Sequence, residues 1–353
     1  MRLDGLLFIC ALGGCVFFGG LAGCGSAPED SPEAVLLVEG PAEDDFPRLL
    51  LVRAGLDELE VARLDPERSW VILPQGSGPD RRVGFSAAYD PSRGHVVVFG
   101  GGNDDTCFDE TWVFEGGSWR KLDGDPKPAA RARGVLEWNE ATEEIELSGG
   151  EGSDCTTSDE DLDVRWFLSG DRWRKGETLK NRPRELDLET SGVGLEVTLL
   201  PSEDETEFAA MMLETYLLTD NEWSSARASM PWTARGREPI YHAALAWDAG
   251  EERALYLMSY FPYDGWDRRN ATLLMEDGAW RLLDLGAGPS PRYSATAVRD
   301  PSTRAWYLYG GMRERAEGTI QGRNEVYPTP IETLREPFVW RLDDGASSWR
   351  TLP

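Results

Sequence analysis

The chain has 353 residues, with 36 Lys and Arg against 63 Asp and Glu, so its formal net charge is −27. This acid excess argues against nucleic acid as a partner, because phosphate binding needs clustered cations. Only 2 His are present, which is too few for a His-rich metal site or for several acid–base centres. The 14 Trp, 38 Gly and 22 Pro favour an all-β fold of many short strands.

The first residues have the features of an export signal. Residues Gly5 to Gly23 carry no charge, and Arg2 precedes them, as in secretory signals. The run ends in Leu21-Ala22-Gly23-Cys24, which resembles the lipobox of bacterial lipoproteins. The resemblance implies that the segment is removed and that Cys24 receives lipid. An ordinary signal peptide cut nearby and a retained membrane anchor are the alternatives.

The residues after Cys24 are polar, acidic and rich in Pro, a composition typical of an extended tether. We therefore predict a signal peptide over 1–23, an acidic tether over 24–33 and a folded domain over 34–353. Acyl chains on Cys24 would hold this domain at a membrane without a spanning helix. The predicted location is the bacterial cell envelope. Gly25, in place of Asp, favours the outer membrane under the enterobacterial sorting scheme.

A repeat of about fifty residues organises the folded domain. Residues 82–101 align with 292–311 at an offset of 210, and Gly149-Gly150 aligns with Gly100-Gly101 at an offset of 49. A period in this range indicates a propeller or another repeat array. Six units close with a Trp after a polar turn, and these residues are Trp70, Trp119, Trp173, Trp223, Trp280 and Trp349.

Local chemistry within the units supports short strands joined by tight turns. In Asp90-Pro91-Ser92-Arg93-Gly94, Pro presets φ and Gly94 permits a positive φ, as a hairpin turn requires. The double glycine at 100–101 permits close backbone approach at a strand end. One Trp per unit offers a large apolar surface against the next unit. Radial stacking of such sheets covers both apolar faces of each one.

These features resemble the kelch repeat, an apolar strand ending in Gly-Gly, then an aromatic strand and a final strand opened by Trp. In the best unit they are Val96 to Phe99, Gly100-Gly101, Trp112-Val113-Phe114 and Trp119. The resemblance implies a kelch-type β-propeller, and the six closing Trp predict six blades. Seven blades and a β-sandwich are the alternatives.

The resemblance varies along the chain. It is strong in units 82–122, 131–174 and 292–352, and fair in 237–283, where Met258-Ser259 replaces the double glycine. Units 34–73 and 182–223 keep little beyond apolar runs and the closing Trp. The first and last units each hold four predicted strands of their own, so we expect no strand shared between the chain ends.

No catalytic residue is predicted. Galactose oxidase is the best-known kelch enzyme. Its copper site needs two His and two Tyr, and one of the two Tyr is cross-linked to a Cys. His95 and His242 lie in different predicted blades and are interpreted as structural. No Gly-x-Ser-x-Gly elbow, Walker loop or His-Glu-x-x-His motif occurs in the sequence. With 63 acids, adjacent carboxylates carry no information about glycoside hydrolysis.

Two cysteines occupy equivalent places in neighbouring units. Cys107 follows Gly101 by six residues, and Cys155 follows Gly150 by five. Disulfides persist in exported proteins, so we predict a Cys107–Cys155 bridge between two blades. Two separate thiols are the alternative, because the loop register decides whether the Cα atoms are close enough.

The same loops are acidic over residues 103–110, 151–163 and 203–207. All three segments follow the second strand of successive units, which would place them on one rim of one face. Calcium, which takes 6–8 oxygen ligands, would relieve the repulsion between their carboxylates. Calcium binding is thus a hypothesis, and a solvated surface that maintains solubility is the alternative.

The last unit contains a long insertion between its strands, residues Met312 to Glu336. Long connections in compact domains often have functional roles, so this segment is the candidate partner-contact loop. An insertion without a role is the alternative. Its arginines bring cations to an otherwise acidic face, and they are Arg313, Arg315, Arg323 and Arg335.

These features predict a monomeric, membrane-anchored lipoprotein that binds a protein or a glycan at the envelope without catalysis. The alternative is a carbohydrate-active enzyme of the galactose oxidase-like superfamily that lacks the copper site. Convergent carboxylates or an arginine cluster at the channel mouth would favour that alternative. A purely structural envelope role is a third possibility, because the fold alone does not set the ligand.

Overall fold

The computed structural model describes residues 34–352, except 43–45, 66, 68, 104–105, 151–156, 184–192, 202–207, 220, 236–240, 261–268, 287, 293, 315–330 and 334–338. Over these residues the chain is all β, apart from one short helix, α1 (Asp159–Leu162). The strands form five four-stranded antiparallel sheets, one three-stranded sheet and one two-stranded ribbon. The four-stranded sheets are the blades of a β-propeller.

In every blade the strands pair in chain order, from the first strand outward. The first blade consists of β1 (Ala34–Val38), β2 (Leu49–Ala54), β3 (Leu59–Leu64) and β4 (Trp70–Ile72). The second consists of β5 (Val83–Asp90), β6 (His95–Gly102), β7 (Thr111–Glu115) and β8 (Ser118–Leu122). The third consists of β9 (Val135–Asn139), β10 (Glu144–Ser148), β11 (Val164–Ser169) and β12 (Arg172–Thr178).

The rest of the chain adds two blades, a larger sheet and a ribbon. The three-stranded sheet consists of β13 (Val193–Pro201), β14 (Phe208–Thr219) and β15 (Glu222–Arg235). The fourth blade consists of β16 (Tyr241–Asp248), β17 (Arg253–Tyr260), β18 (Arg269–Glu276) and β19 (Ala279–Leu282). The fifth consists of β20 (Thr296–Asp300), β21 (Ala305–Tyr309), β24 (Trp340–Asp343) and β25 (Arg350–Thr351), and its ribbon of β22 (Met312–Glu314) and β23 (Ile331–Thr333).

The first strands of the blades contact one another and so surround the propeller axis. Between the fourth and fifth blades, the Ala295 amide donates to the Ala243 carbonyl oxygen at 2.7 Å. The Leu36 amide donates to Thr296 Oγ1 at 3.0 Å and joins the first blade to the fifth. The ring thus closes where the chain ends meet. Each of these two blades builds all four strands from its own segment, as predicted.

The prediction of six equivalent blades is wrong, because the described residues form five four-stranded blades. The weakly matching unit at 182–223 contributes instead to the three-stranded sheet, whose strands have 9, 12 and 14 residues. This unit lacks both the Asp-Pro turn and the double glycine that the second and fifth blades contain. Its strands are longer than those of the blades, which have 2 to 8 residues.

The three-stranded sheet lies between the third and fourth blades. Trp223 of β15 packs with Val135 and Leu179 on the side of the third blade. Leu213 of β14 belongs to the buried cluster that includes Tyr256 of the fourth blade. The closing Trp of this divergent unit therefore keeps the packing role predicted for it.

The first hairpins of four blades share one turn. A side-chain oxygen of the last strand residue accepts the amide two residues later, at 2.8–3.0 Å. The accepting residues are Asp90, Asn139, Asp248 and Asp300. The last loop residue has a φ of +50° to +71°, and these residues are Gly94, Glu143, Glu252 and Arg304. The predicted turn at 90–94 is confirmed, and the side-chain bond specifies it even where no Gly is present.

The closing Trp residues join each sheet to the one before it. Trp173 Nε1 donates to Thr111 Oγ1 at 2.8 Å, and Trp280 Nε1 donates to Thr215 Oγ1 at 2.7 Å. Trp349 Nε1 makes the same bond to Thr272 Oγ1 at 3.2 Å. Thr111 and Thr272 lie in the third strands of their blades, and Thr215 lies in β14, the middle strand of the three-stranded sheet. The predicted packing of Trp between units is confirmed and gains a polar contact.

We expect Thr111→Val to lower the free energy of unfolding by about 1–2 kcal/mol, because it leaves the buried Trp173 N–H without an acceptor. Urea unfolding monitored by circular dichroism measures this change. Thr111→Ser retains the hydroxyl and is the matched control, with an expected loss below about 1 kcal/mol. A loss in Thr111→Val no larger than that in Thr111→Ser would show that the hydrogen bond contributes no more to stability than the methyl group does.

Candidate functional site

The propeller has two faces, because successive antiparallel strands run in opposite directions. The loop face carries the connections between second and third strands, including Gly100-Gly101 and the predicted acidic segments. The turn face carries the first-hairpin turns and the tight turns between third and fourth strands. A binding site built from long connections therefore belongs to the loop face.

Three buried arginines brace the loop face. Arg82, Arg131 and Arg292 are each 1 % exposed. Each Nε donates to the carbonyl oxygen two residues earlier in the chain, at 3.0–3.2 Å. Each Nη1 donates to the first glycine of the double glycine in its own blade, and these acceptors are Gly100, Gly149 and Gly310. The arginines thus bind backbone carbonyls, which is a structural role.

The double glycine connects neighbouring blades through its backbone. The Gly101 amide donates to the Arg131 carbonyl oxygen at 2.9 Å. In the fourth blade the equivalent residue is Ser259, whose Oγ donates to the Arg292 carbonyl oxygen at 3.0 Å. The Arg292 amide also donates to Ser259 Oγ at 3.0 Å. A hydroxyl therefore replaces the glycine amide, which explains why this unit tolerates the departure from the repeat.

Three described acids of the loop face are bound to cations. Glu110 contacts Arg82 Nη2 at 2.9 Å and Lys121 Nζ at 2.5 Å. Asp109 contacts Lys127 Nζ at 2.6 Å, and the Asp163 carboxylate contacts Arg182 Nε at 2.8 Å. These three carboxylates are thus neutralised, in contrast to the mutual repulsion expected from the sequence.

Burial would raise the pKa of Glu110, but hydrogen bonds from Lys121, Trp112 and Arg82 lower it to about 2. A carboxylate with a lowered pKa stabilises the fold above its unfolded pKa, and this contribution is lost as pH falls towards the folded pKa. We expect Glu110→Gln to cost about 1–2 kcal/mol at pH 7, a value that allows for solvent screening. The loss should shrink between pH 4.5 and pH 2.

Urea unfolding at pH 7 and at pH 3 measures the effect of Glu110→Gln. Asp109→Asn is the matched control, because its ion pair with Lys127 is 42–44 % exposed and such pairs contribute about 0–1 kcal/mol. A Glu110→Gln deficit that stays the same at both pH values would contradict the assigned role of the Glu110 charge.

Calcium binding remains a hypothesis. The described part of the chain contains no group of three or more His, Cys, Asp or Glu arranged to hold a metal ion. Several acids on which the hypothesis depends lie outside the described residues, namely Asp104, Asp105, Glu151, Asp154 and the acids of 203–207.

The two histidines lie in the second and fourth blades. His95 begins β6 and is 3 % exposed, and its Nε2 lies 3.5 Å from Asp90 Oδ2 without a hydrogen bond. Burial lowers the pKa of His95 against the opposing field of Asp90. His242 lies in β16. The interpretation of His95 as a structural residue agrees with its burial in the first hairpin of its blade.

The candidate partner-contact loop begins and ends in paired strands. β22 and β23 pair antiparallel, with Arg313 opposite Glu332 and Glu314 opposite Ile331. Arg315, Arg323 and Arg335 lie outside the described residues. The sequence shows no turn or alternation that predicts this ribbon. The structure therefore adds a defined base to the loop.

Cys107 lies in the connection after β6, where its backbone pairs with that of Gly102 in an isolated antiparallel β-bridge. Cys155 and Cys24 lie outside the described residues. The disulfide and the lipid attachment therefore remain predictions.

The turn face contains an ion-pair network between the fourth and fifth blades. Arg299 is 2 % exposed in its side chain and contacts Asp248 at 3.3 Å, Glu251 at 3.3 Å and Asp344 at 3.1 Å. Arg253 contacts Asp344 at 3.0 Å. Burial would raise the pKa of Asp344, but hydrogen bonds from Arg299 and Arg253 hold it well below its usual range. The repeat alignment did not reveal this network, because the residue equivalent to Arg299 is aromatic in three other units, at Tyr89, Trp138 and Trp247.

The fold and the two faces define the protein as a β-propeller. No family model and no curated protein matches the chain. The kelch resemblance therefore depends on the residues of the repeat. Among the described residues, no helix is long and apolar enough to cross a membrane.

Proposed function

We propose that the chain is a bacterial lipoprotein whose kelch-type propeller binds a protein or a glycan at the cell envelope without catalysis. The observation that carries the proposal is the construction of the loop face. Buried arginines bound to backbone carbonyls make a rigid base, and the longest connection, Met312 to Glu336, is based on a paired ribbon beside it. Binding loops on a rigid scaffold are typical of recognition modules.

The lipid anchor is the second part of the proposal. The uncharged run before Cys24 and the lipobox-like sequence support export and lipid attachment. The acidic tether at 24–33 would separate the propeller from the membrane. Under the enterobacterial scheme, the lipid anchor would lie in the outer membrane. Mass spectrometry of the purified full chain tests this part. An unmodified Cys24 would contradict it.

The β22–β23 register allows a precise test of the partner-contact loop. Since Glu314 lies opposite Ile331, residues 315–330 can be replaced by Asn-Gly, a two-residue turn that closes antiparallel strands. We expect the intact lipoprotein to enrich one envelope protein or glycan, and the shortened variant to lose it while its melting temperature stays within a few degrees. If the shortened variant still bound the ligand, the binding site would lie outside residues 315–330. Chemical conversion of a captured glycan would favour an enzyme.

The predicted Cys107–Cys155 bridge supports an exported protein, since disulfides persist outside the cytosol. Thiol labelling of denatured protein, with and without reductant, tests it. We expect two additional labelled thiols only after reduction. Labelling of both cysteines without reductant would reject the bridge.

A further inference from the structure

The outer strands of four blades carry a half-exposed arginine directly after the closing Trp. The exposed fractions of these side chains are 49–54 %. Each arginine contacts a carboxylate, and the pairs are Arg120–Asp171, Arg174–Glu144, Arg281–Glu276 and Arg350–Asp343. Charged side chains on an outer strand discourage pairing with other chains and keep the edge solvated.

The first blade departs from this rule. After Trp70, its outer strand β4 continues with Val71 and Ile72, which are 45 % and 47 % exposed. Leu56, in the turn between β2 and β3, is 87 % exposed. Ile72 pairs with Ala62 of β3, so Leu56 lies roughly 20 Å away along the same hairpin. Val71 and Ile72, as consecutive strand residues, place apolar side chains on both sides of the outer strand. We call Leu56, Val71 and Ile72 together the apolar edge of the first blade.

We propose that this apolar edge contacts the interfacial region of the lipid bilayer. The inference rests on the proposed lipid anchor at Cys24. β1 begins at Ala34 in the same blade, and ten residues, 24–33, join it to Cys24. A ten-residue segment spans at most about 35 Å. The tether therefore joins the membrane anchor to the first blade, and this is the blade whose outer strand lacks a cation after the Trp.

Charge and strand length favour lipid over other occupants. A second copy would bring another net charge of −27 to the edge and would be repelled. A partner strand would find only the three residues of β4 to pair with. Apolar side chains, by contrast, are stabilised when they enter the interfacial region. The arginine edges of the other blades would have to desolvate their salt bridges there.

The test uses the full lipidated chain in phosphatidylcholine vesicles, with a photo-crosslinking residue at position 72 or at position 121. Lys121 is the second residue after Trp119, as Ile72 is the second after Trp70, so the two positions are matched. After flotation and illumination, mass spectrometry measures lipid adducts. We expect at least about fivefold more lipid adduct from position 72 than from position 121.

A second variant checks that the apolar edge itself makes the contact. Val71→Arg with Ile72→Lys copies Arg120-Lys121 of the second blade. It should reduce the lipid adducts of a crosslinker at position 56 several-fold while the melting temperature stays unchanged. Equal lipid adducts at positions 72 and 121 in floated protein would overturn the inference and leave the lipid anchor intact. Crosslinks from position 72 to another protein in native envelopes would do the same. Protein that fails to float would overturn the lipid anchor, and the inference with it.

Discussion

Gly100→Ala should destabilise the propeller by about 2–5 kcal/mol. Gly100 has a φ of +68°, which costs a residue with a Cβ roughly 1–2 kcal/mol. A Cβ at this position would also lie 2.4 Å from the Arg131 carbonyl oxygen of the next blade. Because the obstacle is backbone that also accepts the Gly101 amide, relief of the clash would separate two blades. Urea unfolding of the purified variant measures the loss.

Gly116→Ala separates the two causes of this loss. Gly116 lies in the same blade and has a φ of +58°, but nothing lies within 4 Å of its Cβ position. We expect a loss of about 1–2 kcal/mol from the backbone conformation alone. Similar losses at Gly100 and Gly116 would show that contact between blades at the double glycine contributes little to stability.

Arg299→Met should cost about 3 kcal/mol, because it leaves the buried Asp248 carboxylate without its cation. The Asp248 side chain is 8 % exposed and contacts Arg299. Met retains much of the apolar stem that packs near Trp306, whose ring lies 4.8 Å from the guanidinium. The loss therefore reports on charge rather than on a cavity. Urea unfolding at pH 7 measures it.

The Arg299 result has a matched control and a pH signature. Arg120→Met removes a pair with Asp171 in which both side chains are about half exposed, so we expect a loss of about 0–1 kcal/mol. Because Arg299 and Arg253 lower the pKa of Asp344, the contribution of that carboxylate is present above its usual pKa of 3.8 and lost as pH falls further. An Arg299→Met deficit no larger than that of Arg120→Met would contradict the role of the network.

Repeated local chemistry made much of the fold predictable. The turn at 90–94 depends on residues a few positions apart, and so does the left-handed backbone of Gly100-Gly101, both of which the structure contains. The closing Trp residues also lie between the sheets, as expected from one large apolar side chain per unit. Such features are legible in sequence because their partners are near in the chain or recur at a fixed period.

The divergent unit and the polar contacts between blades were not predictable in this way. The three-stranded sheet appeared as a weak repeat, because its unit lacks the double glycine and the Asp-Pro turn by which the repeat was recognised. The Trp–Thr bonds had a detectable signal, since a Thr precedes each of these Trp residues by 62 to 77 positions, in the preceding sheet. The Arg299 network had none, because its members come from separate segments brought together only by the ring.

The net charge of −27 shows the same division. The sequence by itself determined the acid excess, the all-β repeat and the predicted lipid anchor, because these follow from composition, period and a local motif. Only the tertiary structure decided that Glu110, Asp163 and Asp344 are bound to arginines or lysines. Ion pairing depends on distances between residues far apart in the chain, and those distances exist only after the blades have assembled around a common axis.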